Sequence, residues 1–136
     1  MVRWVVRLAR SARPGYPCER PTRDDVENWA KRVREEGIRS IICLLDEEQL
    51  AYYEPLELHP DGLLGFYREL GIEVCNIPIK DRPGCTDHIT GDMLRRAVDA
   101  FHKMEPPVLV HCSAGVDRTG AVVQSILNSF SESRDV

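Results

Sequence analysis

The sequence has no Cys-x-x-Cys pair, no long apolar run, no internal repeat and no excess of positive charge. Each absence excludes a class. The five cysteines (Cys18, Cys43, Cys75, Cys85, Cys112) are odd in number and scattered, which argues against a disulfide framework or a zinc site. No apolar stretch approaches the roughly 20 residues of a membrane span, so no membrane partner is expected. The opening MVRWVVRLAR is interrupted by Arg3, Arg7 and Arg10 and lacks a small-residue cleavage site, so it does not read as a secretory signal. Free thiols without an export signal point to a reducing, cytoplasmic setting. The net charge of −4 argues against a nucleic-acid surface built on bulk positive charge, though not against one local basic pocket. What is present is ordinary: 136 residues, 43% hydrophobic and 29% charged, enough for one globular core without a metal or disulfide.

The organising pattern is helix, glycine, strand, used twice. Over residues 22–36, Val26, Trp29, Ala30 and Val33 form an apolar stripe at i, i+3, i+4, i+7, opposite Lys31, Arg32, Arg34 and Glu35. Gly37 stands where a left-handed helix stop is expected, and Ile38–Leu45 reads as a buried strand. The second copy starts at Pro60, carries Leu63, Phe66, Tyr67 and Leu70, stops at Gly71 and feeds the strand Ile72–Ile79. Pro78 marks that strand's end or an edge. A third helix is predicted over residues 87–104, with Met93, Leu94, Ala97, Val98, Phe101 and Met104 inward and Asp87 or Thr86 as its N-cap. Val108–Val110 begin a short strand. A last helix over 118–130 would turn Val122, Val123, Ile126, Leu127 and Phe130 inward, and Trp4–Leu8 reads as an extra strand. Strands alternating with helices predict an α/β fold, a central mainly parallel sheet flanked by helices, with ligands beyond the carboxyl ends of the strands.

Cys112 falls at such an end, inside His111-Cys112-Ser113-Ala114-Gly115-Val116-Asp117-Arg118-Thr119-Gly120. A short strand-to-helix loop turns successive backbone N–H groups inward, and the helix behind it adds its positive end. Gly115 permits a backbone that a side chain would hinder. Arg118 can fold back over the loop and offer its planar fork to two phosphate oxygens. Cys112 at the bottom of such a bowl favours the thiolate, an activated nucleophile toward a bound phosphoryl group. Thr119 is placed to hydrogen-bond the sulfur, and His111 to orient the loop without acting as the base. Read as a buried core cysteine, Cys112 would leave the arginine, the glycines and the strand–helix setting as accidents. Cys43 and Cys75 take that core reading without difficulty.

The segment resembles the signature of the cysteine-based protein tyrosine phosphatase superfamily: His-Cys, five residues, Arg, Ser or Thr, then Gly. All fixed positions are matched. WVVRLARSARPGY, IRSIICLL and YRELGIEVCNIPIKD resemble the compact dual-specificity group, so the likeness covers about residues 1–130 as one domain. It implies that group's phosphatase fold, a strand–loop–helix phosphate-binding loop at Cys112–Arg118, and two-step hydrolysis through a cysteinyl-phosphate with no metal or other cofactor.

Such relatives carry a proton-donating aspartate about thirty residues before the cysteine. Asp81, in Lys80-Asp81-Arg82-Pro83-Gly84 after the strand IEVCNIPI, matches, and is expected to act as general acid and then as general base on water. Asp87 is the rival, assigned to helix capping, and Asp117 is expected to tune Arg118 or to sit on the substrate-facing rim.

The resemblance implies phosphorylated protein substrates. Inositol phosphates, phosphoinositides and RNA 5′-phosphates remain alternatives, as does a non-catalytic phosphate-binding module. Val116 stands where phosphoinositide-directed members often carry a lysine, and no aromatic-basic stripe accompanies the net negative charge. Cys75, on a strand expected to neighbour that of Cys112, and Cys85, near the acid loop, are candidates for trapping an oxidised Cys112. Family domains usually continue further beyond the cysteine. Here residues 131–136 read as a polar tail and the C-terminal helices as shortened, leaving the face from Val122 to Phe130 less covered.

Overall fold

The computed structural model describes residues 6–134. It contains the helix–glycine–strand unit twice, for the reason the sequence suggests. Helix α1 (Arg23–Glu35) starts in a reciprocal cap: Thr22 Oγ1 accepts from Asp25 N–H, and the Asp25 carboxylate accepts from Thr22 N–H. It ends with Gly37 at φ +76°, Gly37 N–H donating to Arg34 O and Ile38 N–H to Val33 O. Helix α3 (Gly62–Glu69) ends in the same geometry, Gly71 N–H donating to Arg68 O and Ile72 N–H to Tyr67 O. Both are left-handed glycine stops, and each turns the chain directly into the sheet.

The sheet has four strands: β1 (Leu8–Ser11), β2 (Ser40–Cys43), β3 (Glu73–Asn76) and β4 (Val108–His111). Their order is β1-β4-β2-β3 and every pairing is parallel. Central β2 and β4 are buried throughout. Their side chains alternate between two cores. Ile41, Cys43 and Leu109 face a cluster with Val26, Val33, Tyr53, Leu63 and Tyr67. Ile42, Val108 and Val110 face another with Ala97, Phe101, Val122 and Ile126. Helices α4 (Gly91–Lys103) and α5 (Asp117–Arg134) supply that second layer. The α/β architecture with helices on both faces is therefore the one expected.

Several boundaries differ. The first strand is Leu8–Ser11; of the expected Trp4–Leu8, residues 4 and 5 lie outside the described residues. Helix α4 begins at Gly91, not at 87, because Thr90 Oγ1 takes the Met93 N–H at 3.1 Å. Asp87 is exposed in the preceding loop and caps nothing. A short helix α2 (Glu47–Leu50) and a 3-10 turn (Ala51–Leu56) follow β2 and were not foreseen, since one turn carries no periodicity. Helix α5 runs four residues past its predicted end, to Arg134. Its apolar face is better covered than expected at Val122 and Ile126, both fully buried against α4, whereas Leu127 points outward at 40% exposure. β2 lies between β3 and β4, so Cys75 does not neighbour the Cys112 strand; Cys43 does. Among the described residues no helix is long and apolar enough to cross a membrane.

Candidate active site

β4 delivers His111 and then Cys112, 2% exposed, to the carboxyl edge of the sheet. The chain turns through Ser113–Val116 and enters α5 at Asp117, so the turn sits against the positive end of an 18-residue helix. Gly115 makes the turn possible. Its φ is +77°, and a Cβ there would lie 2.6 Å from the Ser11 carbonyl oxygen at the end of β1. Gly115 N–H donates to Cys112 Sγ at 3.3 Å. Ser113 is buried, Ala114 is half-buried, and Val116 stands out at 60% exposure.

Arg118 is on the first turn of α5 and is 2% exposed. Its Nη1 donates to Ile79 O at 2.7 Å and Leu44 O at 3.3 Å, on the segments leaving β3 and β2. Its Nη2 makes no hydrogen bond and lies 3.5 Å from Asp81 Oδ2, an ion-pair contact. One guanidinium thus spans from the cysteine loop to the predicted acid. Asp81 Oδ2 also receives a hydrogen bond from Gln49 Nε2 at 2.9 Å, and Asp81 N–H donates to Asp46 Oδ2 at 3.2 Å. About a third of the Asp81 side chain stays exposed.

His111 is fully buried between two acceptor–donor partners. Its Nδ1 lies 3.1 Å from Cys112 O, an acceptor only, so Nδ1 carries the hydrogen. Nε2 then accepts from the Tyr67 hydroxyl at 3.0 Å. Burial lowers the His111 pKa to about 4, aided by Arg118 and Arg13 and opposed by the bond to Cys112 O. Burial likewise holds the Tyr67 phenol well above its ordinary value, so it remains a donor. Trp29 packs edge-on against the imidazole and stacks on Tyr67. The geometry suits a neutral, orienting histidine rather than a base.

Two expected contacts differ. Thr119 Oγ1 is buried without a hydrogen-bond partner, so it does not hold the sulfur here. Asp117 does not turn to Arg118; its Oδ2 accepts from Gly84 N–H at 2.8 Å, on the acid loop. Lys80 and Arg82 are exposed beside Asp81.

Three supporting residues escaped the sequence reading. Arg13 is 3% exposed; its Nε donates to Ser113 Oγ at 3.0 Å and its backbone N–H to Ser113 O at 2.8 Å. Its Nη1 reaches Tyr53 OH at 3.3 Å, and its guanidinium lies over the Tyr52 and Tyr16 rings. Arg10 Nη2 donates to Gly115 O at 2.9 Å and Val116 O at 3.2 Å. Both stand in RSARPGY, a run whose closely spaced arginines were the available signal. Gln49 sits on the four-residue α2, where no signal existed.

A family model described as a polymorphic toxin system DSP-PTPase phosphatase matches residues 18–131. No curated protein matches the chain. Among solved structures, Tk-PTP, in a glycine-to-alanine mutant form, is 21% identical with a TM-score of 0.53, over 85% of this chain and 65% of that one. The core catalytic domain of the PP-IP phosphatase SIW14 from S. cerevisiae, in complex with citrate, is 22% identical with a TM-score of 0.57, over 91% of this chain and 64% of that one. The chain therefore spans about two thirds of the length of either structure, and at these identities the likeness is one of fold.

Proposed function

The chain belongs to the DSP-PTPase phosphatase family of polymorphic toxin systems, and from that premise we propose that it hydrolyses phosphate monoesters of proteins, on tyrosine, serine and threonine, through a cysteinyl-phosphate. The observation that carries this reading is the single guanidinium of Arg118, which pairs with Asp81 at 3.5 Å while rooted in the loop that holds Cys112.

In the first step the Cys112 thiolate attacks phosphorus. The S–P bond forms, the P–O ester bond breaks, and its electron pair leaves on the alcohol or phenol oxygen. Asp81 delivers a proton to that oxygen, a contribution of roughly 10²–10⁴ for general acids. Backbone N–H groups of the turn, the α5 terminus and Arg118 meet the charge on the equatorial oxygens. In the second step water attacks phosphorus and gives its proton to the Asp81 carboxylate. The S–P bond breaks, returning the thiolate and releasing inorganic phosphate. Thr119, beside Arg118, is assigned to the departing sulfur; a change of rotamer would bring its unpartnered hydroxyl into use. The chemistry requires no cofactor. The five free cysteines support a reducing compartment as its setting.

A second reading, action on inositol phosphates, draws support from one observation: the fold is shared with the catalytic core of a PP-IP phosphatase. The deciding experiment is a panel of phosphorylated peptides, inositol phosphates and 5′-phosphorylated RNA, with p-nitrophenyl phosphate as the reference and Cys112→Ser as the control. Peptide hydrolysis above the other classes, abolished in Cys112→Ser, is expected. Preference for inositol phosphates overturns the substrate assignment. Wild-type rates in Cys112→Ser overturn the mechanism.

A further inference from the structure

The turn after β2 grips the acid loop at two points. Asp46 caps α2, its Oδ1 accepting from Gln49 N–H at 2.9 Å, while its Oδ2 accepts from Asp81 N–H at 3.2 Å. One carboxylate therefore fixes both the helix start and the backbone of Asp81. Gln49, 6% exposed, sends its Nε2 to Asp81 Oδ2 at 2.9 Å. Its Oε1 is buried with no hydrogen-bond partner. A buried amide oxygen left unpaired is costly and calls for a reason.

The amide chemistry supplies one. A carboxylate only accepts hydrogen bonds, whereas a carboxylic acid also donates one. Gln49 is set to donate Nε2–H to ionised Asp81. Rotating the amide half a turn puts Oε1 where a protonated Asp81 can donate to it. No other partner of Oε1 would be lost in that rotation. A general acid that becomes a general base within one turnover needs a neighbour that suits both of its forms.

We propose that Gln49 is a positioning residue for Asp81, holding its Oδ2 side through both protonation states so that the other oxygen faces the leaving group and then the water. The assignment rests on the reading of Asp81 as the proton donor. Arg118 from α5 and Gln49 from α2 meet the Asp81 carboxylate, and Asp46 from the β2–α2 turn meets its backbone N–H; Lys80 and Arg82 are its exposed chain neighbours, and Asp117 reaches the same loop at Gly84. Gln49 is the neutral member of this set that touches the carboxylate side chain.

The test compares kcat/KM for an alkyl phosphate and for p-nitrophenyl phosphate in wild type, Gln49→Met, Gln49→Glu and Asp81→Ala. Gln49→Met keeps the volume and removes both hydrogen-bonding functions. It should lower kcat/KM for the alkyl ester by roughly tenfold, the scale of one hydrogen bond to a charged group, with a clearly smaller loss for p-nitrophenyl phosphate. Gln49→Glu places a second carboxyl beside Asp81, and should move the alkaline limb of the pH–rate profile to higher pH. Equal losses on both esters in Gln49→Met, with an unmoved limb in Gln49→Glu, would reduce Gln49 to a packing residue. If Gln49→Met does not fold, the Gln49→Glu limb decides alone. Asp81→Ala separates the two layers. A selective loss there with none in the Gln49 variants overturns only the positioning role; no selectivity in Asp81→Ala removes the acid assignment and this proposal with it.

Discussion

Asp117 Oδ2 accepts the Gly84 N–H at 2.8 Å, so the first residue of the helix behind the cysteine loop holds the loop that carries Asp81. The tie runs parallel to the Arg118–Asp81 ion pair. The loop of Asp81 is thereby fastened to α5 at two places, the first through Arg118 and the second through Asp117.

Removing the second tie is expected to loosen the acid without emptying the anion site. Asp117→Ala should lower kcat/KM for alkyl phosphates about fivefold and leave inhibition by inorganic phosphate within about twofold, the scale of one partly exposed hydrogen bond. Asp117→Asn retains an acceptor oxygen and should stay near wild type. A matching loss in phosphate affinity would show instead that Asp117 shapes the loop itself.

The Arg118 guanidinium does two jobs with different nitrogens, Nη1 on the carbonyls of Ile79 and Leu44 and Nη2 toward Asp81. An ammonium cannot reproduce that fork. Arg118→Lys is therefore expected to lose at least about 100-fold in kcat/KM, comparable with the loss of one preorganised oxyanion donor. Activity within tenfold of wild type, measured with p-nitrophenyl phosphate, would mean that charge alone suffices.

Arg13 braces the opposite side of the turn through Ser113. Among the described residues no carboxylate pairs with it, and its charge is held by hydroxyls and two tyrosine faces. Arg13→Ala should destabilise the fold by about 2 kcal/mol, because Ser113 Oγ and Tyr53 OH lose a charged donor. It should also weaken phosphate inhibition, because the turn loses its clamp. Urea unfolding and phosphate inhibition check the two effects; unchanged inhibition would confine Arg13 to stability.

The boundary between what the sequence disclosed and what it hid follows length and distance. Glycine stops at Gly37 and Gly71 are local chemistry, and each is followed by a strand as expected, although the strands are Ser40–Cys43 and Glu73–Asn76, shorter than Ile38–Leu45 and Ile72–Ile79. Cys112 and Arg118 share one short loop whose spacing is visible in the sequence, whereas Asp81 was pointed to by the family resemblance; the structure brings Asp81 to Arg118 at 3.5 Å. Gln49, Arg10 and Arg13 act across 32, 105 and 100 residues of chain, and contacts at such separations leave no periodic trace. Asp87 misled because an aspartate before an apolar stripe looks like a cap, yet Thr90 sits one turn nearer the helix and takes the Met93 N–H. Leu127 shares the apolar spacing of α5 yet falls on its outer side, whereas the line Val122, Ile126 and Phe130 meets α4, Phe130 against Phe101 and His102.

His111 makes the fold itself sensitive to acid. The folded protein keeps the imidazole neutral, with a pKa of about 4 against an ordinary 6.5. Between these values the unfolded chain binds a proton that the folded chain refuses, so stability rises with pH across that window. The contribution is fully present above pH 6.5, falls as pH drops toward 4, and amounts to roughly 3 kcal/mol at its limit. Urea unfolding of wild type and His111→Asn at pH 7, 5.5 and 4 isolates it from the surface carboxylates common to both. The variant should be less stable at pH 7, having lost the bonds to Tyr67 and Cys112 O, but should lose less on acidification. Tyr67→Phe removes the hydroxyl that Nε2 accepts from, and should shift the same window toward neutral pH, since the neutral imidazole then has one partner fewer. Parallel pH dependence in wild type and His111→Asn would show that the acid-sensitive group lies elsewhere.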